Sequence, residues 1–574
     1  MGKYQFLFCD VLKKFKISIQ FYKITSILYS SLMSSIIIAY GSFKGKGQGF
    51  ANELALKYGI DAIPMNEVRI DQVMSAGICI FIVSTFGKGV FPENAEKFYA
   101  NLQQSKADLS NVRYAVLGLG SSKHKLYDQA GRDLYKELQS HNAQPLCPLY
   151  EVDSRAADLG ISSYLKWTRE LESFLPISGS KGIKESFKLT QVSQNEYHQV
   201  PPKDYSYTHI VESSLLLSGS STHTSHMYTL QLPENIKYLA GDHFDILPRN
   251  DENLVSKAIS SLHLSAEQVY KVETTRKDCL IPEIISIQEL FGQYIDLQGL
   301  PTQFMIKAFR DAAEENHNSE GKEKLLKLND PDELTKFLEK TSVFEFITEF
   351  SVYGVPSLNV LVSVLPLMSP RTYSVSTAPN DENKAKIMVT DIVYGNNKIG
   401  LCTGFLSRAD QKTQIPLKVI KGVYNQEQDV PMLLFGVGVG IAPLCSVIED
   451  RRKRNFKSPT VLFFGWRHED ESRPLLQMIE KLKEDGALTD AKCGFSRDHE
   501  GRKYYIYDLL NDNKELVWNY WKNPETAVYY CGPALGIPEK LKDGLEGIIV
   551  EKKGCSADEA AKACKKHTWY LESF

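Results

Sequence analysis

The 574-residue sequence predicts a multidomain α/β protein with a doubly wound parallel sheet, then an antiparallel β-barrel interrupted by a helical insertion, then a second parallel sheet in an α/β domain. Three observations support this fold class. In both end regions, wholly apolar strands lead into glycine-rich loops and then helices, as in parallel sheets covered on both faces. Between these regions, strands with alternating polar and apolar residues indicate an antiparallel sheet. Within this middle part, residues 250–366 are charged and helical in pattern.

The order of these patterns predicts the domain boundaries. We expect an N-terminal extension over 1–34, a parallel domain over 35–175, a polar linker over 176–203, a barrel with its insertion over 204–430, and a second parallel domain over 431–574. This number of domains is consistent with about 150 residues for each.

Composition excludes several classes of function. A net charge of -3 offers no basic surface for nucleic acid. Ten cysteines without paired metal-ligand spacing predict reduced thiols and no metal site. In the acid-poor segment 1–34, Lys23 and several serines interrupt the apolar run, so no membrane span is predicted there. We therefore expect a cytoplasmic protein; an organelle presequence, weak membrane association or a non-native extension at residues 1–34 are open alternatives.

Three strands of the first parallel domain end in small and polar residues. The loops at their ends read Ser42-Phe43-Lys44-Gly45-Lys46-Gly47, Ser84-Thr85-Phe86-Gly87 and Gly118-Leu119-Gly120-Ser121-Ser122. Ligands of parallel sheets bind beyond the carboxyl ends of the strands. Backbone amides and hydroxyls in these loops therefore predict a phosphate site, with a helix predicted from Gly49 onward.

The most informative motif of the barrel is Arg371-Thr372-Tyr373-Ser374. On a strand, Arg371 and Tyr373 share one face and Thr372 and Ser374 the other. The guanidinium suits a pyrophosphate, the ring suits an isoalloxazine, and the hydroxyl suits the reactive ring edge. The motif therefore favours a flavin dinucleotide, although a half-exposed edge strand would have the same pattern.

The second parallel domain carries a nucleotide-binding pattern. The buried strand Met432-Leu433-Leu434-Phe435 is followed by Gly436-Val437-Gly438-Val439-Gly440, which favours a pyrophosphate at the start of a helix. Ser496-Arg497 and Arg502-Lys503-Tyr504-Tyr505 combine hydroxyls, cations and rings that suit a 2'-phosphate and an adenine. Cys531 places a thiol at a strand end. Taken singly, a tight turn and a solvated basic loop would explain the first two motifs.

In this order, and over residues 35–574, the motifs resemble the diflavin reductase family, which includes the sulfite reductase flavoprotein, methionine synthase reductase and cytochrome P450 reductase. The resemblance implies a flavodoxin-like FMN domain, an FAD-binding barrel with a helical connecting insertion, and a ferredoxin-reductase-like NADP-binding domain. It further implies an NADPH-dependent oxidoreductase that passes electrons through FAD and FMN to a haem or iron–sulfur acceptor protein, whose identity the sequence does not predict.

The resemblance also implies the residues of each site. Its FMN contacts are Ser42, Phe43, Lys44, Gly45, Lys46, Gly47, Ser84, Thr85, Phe86, Gly87, Leu119, Gly120, Ser121, Ser122, His124, Asp128 and Asp153. Its FAD contacts are Arg371, Thr372, Tyr373, Ser374, Met388, Val389, Thr390, Gly400, Leu401, Cys402, Thr403 and Phe574. Its NADPH contacts are Gly436, Gly438, Val439, Gly440, Ser496, Arg497, Lys503, Tyr505, Tyr507 and Cys531. The implied catalytic residues are Ser374, Cys531, Glu572 and Phe574, with Phe574 on the FAD ring and Glu572 aligning Ser374 and Cys531.

The FMN loop departs from the family pattern. Lys44 and Lys46 stand where the family has threonines, and His124 stands where it commonly has a tyrosine. The two ammonium groups would either neutralise a phosphate or leave FMN weakly held. Two other functions therefore stay open: a single-flavin NADPH diaphorase with a flavin-poor docking domain, and a non-enzymatic interaction protein on a decayed reductase fold.

Overall fold

The structure is a computed structural model. It describes residues 36–42, 45–58, 60–85, 89–122, 126–153, 160–175, 183, 185–217, 224–276, 279–393, 399–425, 427–499, 501–533 and 536–573. These residues form two compact units. One contains the described residues up to Ser186 together with Pro301–Thr341 and Tyr353–Val364, and the other contains Phe187–Leu300, Ser342–Val352 and Leu365–Phe574.

The first unit is built on a six-stranded parallel sheet. Its strands are β1 (Ile36–Gly41), β2 (Ala62–Pro64), β3 (Ile78–Ser84), β4 (Arg113–Gly120), β5 (Gln144–Pro145) and β6 (Tyr150–Asp153), in the order β2-β1-β3-β4-β5 with β6 also beside β4. Its helices are α1 (Lys46–Tyr58), α2 (Ile70–Ser75), α3 (Glu93–Gln104), α4 (Gln129–Ser140) and α5 (Ile161–Glu172). The order reverses direction between β1 and β3, so the predicted doubly wound sheet is confirmed, with a ligand-binding crevice expected at that point.

Local sequence explains these elements. Residues 78–83 of β3 are all buried, as expected of a strand covered on both faces. Helix α3 begins after Pro92, carries Glu93 and Glu96 in its first turn, and buries Ala95, Phe98 and Leu102 on one face. The apolar spacing thus decides which face of the helix meets the sheet.

Four helices of the insertion complete the first unit. They are α8 (Gln303–Glu315), α9 (Ser319–Lys327), α10 (Pro331–Leu338) and α12 (Leu358–Val364). Helix α10 packs on α5, and the Arg169 guanidinium in α5 donates to the carbonyl of Asn329. The sequence pattern predicted helices over residues 250–366. These four helices between residues 303 and 364 confirm this prediction for that part of the region.

The second unit contains the predicted antiparallel barrel. Its strands are β8 (Ser206–Leu215), β9 (Ser225–Gln231), β10 (His243–Ile246), β13 (Arg371–Ser374), β14 (Lys384–Thr390) and β15 (Ile415–Ile420), in the order β13-β10-β15-β8-β9-β14. A bridge between Val375 and Ile387 joins the two end strands, and the Ser376 N–H donates to the Lys386 carbonyl at 2.7 Å. Helix α13 (Leu401–Arg408) packs against the barrel core through Cys402, Phe405 and Leu406.

A small antiparallel sheet departs from the predicted pattern. Strands β7 (Phe187–Val192), β11 (Val269–Thr274) and β12 (Ile284–Ser286) pair in the order β12-β11-β7. The same unit contains helices α6 (Glu252–Ser261), α7 (Ile287–Glu289) and α11 (Val343–Phe350). Part of the predicted linker 176–203 is therefore a strand, and the region 250–366 is not wholly helical. The local signal was weak because β7 is mostly exposed and is stabilised by pairing with the distant β11.

The last part of the second unit is a five-stranded parallel sheet. Its strands are β16 (Met432–Val437), β17 (Thr460–Trp466), β18 (Asp490–Phe495), β19 (Ala527–Gly532) and β20 (Trp569–Ser573), in the order β18-β17-β16-β19-β20. Its helices are α14 (Ile441–Lys453), α15 (Arg473–Glu484), α16 (Ile506–Asp512), α17 (Lys514–Trp521), α18 (Ile537–Lys553) and α19 (Ala557–Cys564). The second predicted parallel sheet is confirmed, and β20 brings the last described residues beside β19.

Across the ranges given above, no helix is long and apolar enough to cross a membrane. Within the same ranges, no group of three or more His, Cys, Asp or Glu side chains is arranged to hold a metal ion. The expectations for residues 1–34 lie outside the described residues.

Candidate functional site

The first candidate site lies where β1 leads into α1. Gly45 has a φ of +80°, a conformation that favours glycine, and α1 begins at the next residue, Lys46. The expectation that this helix begins at Gly49 was wrong, because the glycines at 45, 47 and 49 lowered the apparent helix propensity. Lys46 and Gly47 therefore belong to the first turn, where backbone N–H groups have no partner within the helix.

Hydroxyl groups converge at the same strand ends. Ser84 Oγ donates to the Gly41 carbonyl at 3.2 Å, and the Thr85 N–H donates to the Leu119 carbonyl at 2.8 Å. The hydroxyls of Ser42 and Ser121 are buried and have no partner among the described residues. Buried hydroxyls are normally hydrogen-bonded, so these two suggest a missing polar ligand, and Ser42, next to Gly47 at the amino end of α1, fits the phosphate of FMN.

Two aspartates near this site have different surroundings. Asp153 accepts from the Ser122 hydroxyl at 2.5 Å and from the Ser122 N–H at 3.3 Å, and so holds the loop after β4. The buried carboxyl group of Asp128 lies between β4 and α4, because a Cβ added to Gly118 would lie 2.0 Å from its Oδ2. Burial raises the pKa of Asp128 to about 8, assisted by the charge of Glu151 and opposed by Arg132.

Six of the predicted contact residues fall outside the described ranges: Phe43, Lys44, Phe86, Gly87, His124 and Phe574.

The motif Arg371 to Ser374 forms β13 and pairs with β10 in the barrel. In this antiparallel pairing, Ser374 lies opposite His243 and Tyr373 lies opposite Phe244. The Arg371 guanidinium donates to the Ser369 carbonyl at 2.6 Å. Burial raises the pKa of the Cys402 thiol to about 11, while Tyr373 and Arg371 act in the opposite direction. These interactions show that Arg371, Tyr373 and Cys402 lie near one another.

The predicted second pyrophosphate loop begins α13. Gly400 precedes the helix and donates its N–H to the Ile392 carbonyl at 2.7 Å, and Thr403 Oγ1 donates back to the Gly400 carbonyl at 3.0 Å. The N–H groups of Leu401 and Cys402 lie in the first helical turn, which suits an anion. On β14, Met388 and Val389 are buried, and Thr390 Oγ1 lies 2.9 Å from Ser225 Oγ.

Side chains from the barrel and from the last parallel sheet meet at the carboxylate of Glu572. Its Oε1 accepts from the Tyr529 hydroxyl at 2.8 Å and lies 3.3 Å from His243 Nε2. His243 Nδ1 lies 3.1 Å from Ser374 Oγ. Cys531 is opposite Glu572 in the pairing of β19 with β20. We call these five residues the Glu572 cluster.

Burial and the carboxylate together determine the protonation of the cluster. Burial, followed by the charge of Glu572, raises the pKa of Cys531 well above its usual value, so the group is a neutral thiol. The same two causes raise the pKa of Tyr529. The Oε2 atom of Glu572 is buried and has no hydrogen-bond partner by distance and angle among the described residues.

His243 and Tyr529 were not among the predicted site residues. The sequence shows them only as polar residues within the segments Gly241-Asp242-His243-Phe244 and Tyr529-Tyr530-Cys531. Strand pairing brings His243 beside Ser374 and β19 beside β20, and the contact of His243 with Glu572 joins the two sheets.

The glycine loop after β16 passes close to Cys531. Gly438 has a φ of +63°, and a Cβ added to Gly440 would lie 2.2 Å from the Cys531 carbonyl oxygen. Helix α14 comes directly after the loop, so its amino end lies beside it, with Gly436 in β16 and Val439 partly buried. A pyrophosphate could approach this backbone as predicted.

The residues predicted around the adenosine lie after β18. The Ser496 N–H donates to the Trp466 carbonyl at 2.8 Å and the Arg497 N–H to the Arg467 carbonyl at 3.0 Å. The rings of Tyr505 and Tyr507 are 5.3 Å apart. Arg497 and Lys503 are exposed and can reach a phosphate. Tyr504 differs from its neighbours, since its ring is buried and its hydroxyl donates to Asp512 at 2.7 Å.

Three family models match the chain in the order of these sites. They are Flavodoxin over residues 38–167, FAD binding domain over 201–405 and Oxidoreductase NAD-binding domain over 434–536. This chain belongs to the diflavin reductase family. The cofactors of this diflavin reductase are FMN, FAD and NADPH, and the residues described above fit all three.

Several known proteins align with most of this chain. The diflavin reductase is 24% identical to the sulfite reductase [NADPH] flavoprotein alpha-component of Shewanella sp. (strain MR-4), over 92% of this chain and 87% of that protein. It is 24% identical to NADPH-dependent diflavin oxidoreductase 1 of Schizosaccharomyces pombe, over 94% of this chain and 100% of that protein. It is also 24% identical to the mitochondrial pyruvate dehydrogenase [NADP(+)] of Euglena gracilis, over 92% of this chain but 30% of that longer protein.

Proposed function

We propose that this diflavin reductase is an NADPH-dependent oxidoreductase that passes electrons through FAD and FMN to a separate acceptor protein. The observation that carries the proposal is the Glu572 cluster. Ser374 and His243 come from the FAD-binding barrel. Cys531 and Tyr529 come from the five-stranded parallel sheet, whose strand β16 leads into the NADP loop. A nicotinamide and a flavin ring must meet for hydride transfer, and this cluster supplies polar groups from both domains.

When bound, NADPH would supply a hydride, which carries one negative charge to the FAD, and the flavins would pass the electrons on. The protein contributes binding and orientation. Arg371 and the amino end of α13 would hold the FAD pyrophosphate, and the loop Gly436 to Gly440 would hold that of NADPH. Ser374 and Cys531 would donate hydrogen bonds where charge develops. Phe574 would cover the FAD ring, as the family resemblance implies.

The electron acceptor belongs, in this proposal, to a chemical class of proteins. The named relatives include a sulfite reductase flavoprotein component and a pyruvate dehydrogenase, two proteins whose names denote different reactions. We propose a protein with a haem or an iron–sulfur centre, since such centres take electrons singly. A linker within residues 176–203 would allow the FMN domain to reach it.

Purified protein is expected to release FMN and FAD in a ratio near one, because the buried Ser42 hydroxyl has no partner among the described residues and lies at the amino end of α1. Lys46→Glu should weaken FMN binding by about tenfold, because it removes one charge-assisted hydrogen bond. The variant should still bind FAD. The fluorescence of the flavins released on denaturation measures the amounts of FMN and FAD that each protein had bound. Lys97→Glu on the exposed face of α3 is the matched control, since it changes the net charge equally.

An FMN content near zero in the wild-type protein would instead support the single-flavin diaphorase. NADPH-driven reduction of cytochrome c would eliminate the non-enzymatic alternative. If the protein reduced no acceptor although both flavins were bound, the proposed enzyme activity would be wrong.

A further inference from the structure

The His243 ring connects two members of the Glu572 cluster. Its Nδ1 lies 3.1 Å from Ser374 Oγ, and its Nε2 lies 3.3 Å from Glu572 Oε1. The side chain is 17% exposed. Because each ring nitrogen has a polar partner, the ring is held in one orientation between the barrel and β20.

The charge of His243 decides the direction of the hydrogen bond to Ser374. An imidazolium donates from both nitrogens, so Nδ1–H donates to Ser374 Oγ and the hydroxyl hydrogen of Ser374 is left for a ligand. A neutral imidazole that keeps its hydrogen on Nε2 for Glu572 must accept at Nδ1. The Ser374 hydroxyl then donates to His243 and has no hydrogen left for the site.

Acidic groups around the ring favour the charged form. They are Glu572 on β20, Asp245 on β10 and Asp242, which immediately precedes β10. The facing residue on β15 is the apolar Ile420, and the facing residue on β13 is the neutral Ser374. Burial lowers the pKa of His243, but the hydrogen bond and charge of Glu572 and the charges of the two aspartates outweigh it and raise the pKa above its ordinary value.

We infer that His243 is a positioning residue whose protonated form directs the Ser374 hydroxyl toward the reacting edge of the flavin and nicotinamide. This inference rests on the proposed function, because Ser374 then donates where hydride transfer leaves a negative charge. Glu572 acts through His243: it keeps the ring charged and in place. Donors already oriented toward a developing charge lower the barrier without reorganising during the reaction.

The first test is the pH dependence of the rate at which NADPH reduces bound FAD, followed anaerobically by stopped-flow absorbance. The rate is expected to fall as pH rises through the pKa of His243. The total loss should be on the order of 100-fold, the loss typical of one transition-state donor. Ser374→Ala should show the low rate at every pH, because it has no hydroxyl to orient.

Two substitutions separate the functions of the ring nitrogens. An asparagine amide nitrogen stands near the position of Nδ1, and a glutamine amide nitrogen stands near that of Nε2. His243→Asn retains a donor for Ser374 and should be slower than wild type but faster than His243→Gln. Both should lose the pH dependence, because neither side chain titrates. Equal rates in the two variants would indicate a purely structural role and overturn the inference.

His141→Asn is the matched control. His141 also pairs with a glutamate, with its Nε2 3.4 Å from Glu137 Oε1, but it lies in the flavodoxin-like domain. This variant should keep the wild-type pH profile. A change in its profile equal to that of His243→Asn would count against a specific role for His243.

A second measurement does not depend on turnover. The His243 resonance of selectively labelled protein, assigned with His243→Asn, is followed by NMR against pH with and without FAD. Glu572→Gln should shift the pKa of His243 downward, since it removes the facing charge. An unchanged pKa in Glu572→Gln, or a pH-independent rate in the wild type, would overturn the inference. A protein that binds no FAD would overturn the proposed function instead.

Discussion

Asp128→Asn is expected to stabilise the flavodoxin-like domain at neutral and alkaline pH by several kcal/mol. The Asp128 carboxyl group is fully buried, both its oxygens are without a partner among the described residues, and its pKa is raised to about 8. The native state therefore keeps a proton that the unfolded chain releases near pH 4. Stability must then fall as pH rises from about 4 to about 8, by about 1.4 kcal/mol per pH unit.

Asparagine removes this dependence without straining the backbone. Residue 128 has a φ of 55°, which asparagine tolerates better than most residues. At pH 7 the variant should be about 4 kcal/mol more stable than the wild type, and near pH 4 the two should be similar.

The difference in the free energy of unfolding is measured by hydrogen exchange of peptides from β4. The variant and the wild type are compared at each pH. The comparison at equal pH cancels the intrinsic pH dependence of exchange. Parallel profiles for the two proteins would show that Asp128 is ionised in the native state at neutral pH, contrary to this expectation.

Gly440→Ala is expected to weaken NADP⁺ binding by up to about 100-fold. A Cβ at this position would lie 2.2 Å from the carbonyl oxygen and 2.6 Å from the carbonyl carbon of Cys531, and neither backbone atom can rotate away. The loop must move away from β19, at a cost of about 1–3 kcal/mol for an overpacked site. That displacement separates the NADP loop from Cys531. Calorimetric titration with NADP⁺ measures the affinity directly.

Gly547→Ala provides the control in the same domain. Gly547 lies in α18, and a Cβ there would meet nothing within 4 Å. Alanine should stabilise that helix by up to about 1 kcal/mol and leave NADP⁺ affinity unchanged. If Gly440→Ala bound NADP⁺ as tightly as the wild type with unaltered stability, the close approach of the loop to Cys531 would not govern binding.

Much of the fold could be predicted because its signals are local. Apolar runs such as those of β3 and β16, with glycine loops and helices after them, indicate buried parallel strands wherever they occur. Strand β7 gave no such signal: it is short and largely exposed, and β11, which pairs with it, comes after a long stretch of chain. The first turn of α1 was also missed, since its glycines resemble a loop in sequence.

The sequence by itself determined the two parallel sheets and the barrel strand Arg371–Ser374, and through the family resemblance it predicted roles for Cys531 and Glu572. Only the tertiary structure placed His243 between Ser374 and Glu572, and Tyr529 on the same carboxylate. Likewise, only the packing of β4 against α4 buries the carboxyl group of Asp128. The physical reason is the same in each case. Apolar periodicity reports which face of a segment is buried, whereas the register between distant strands decides which polar groups meet there.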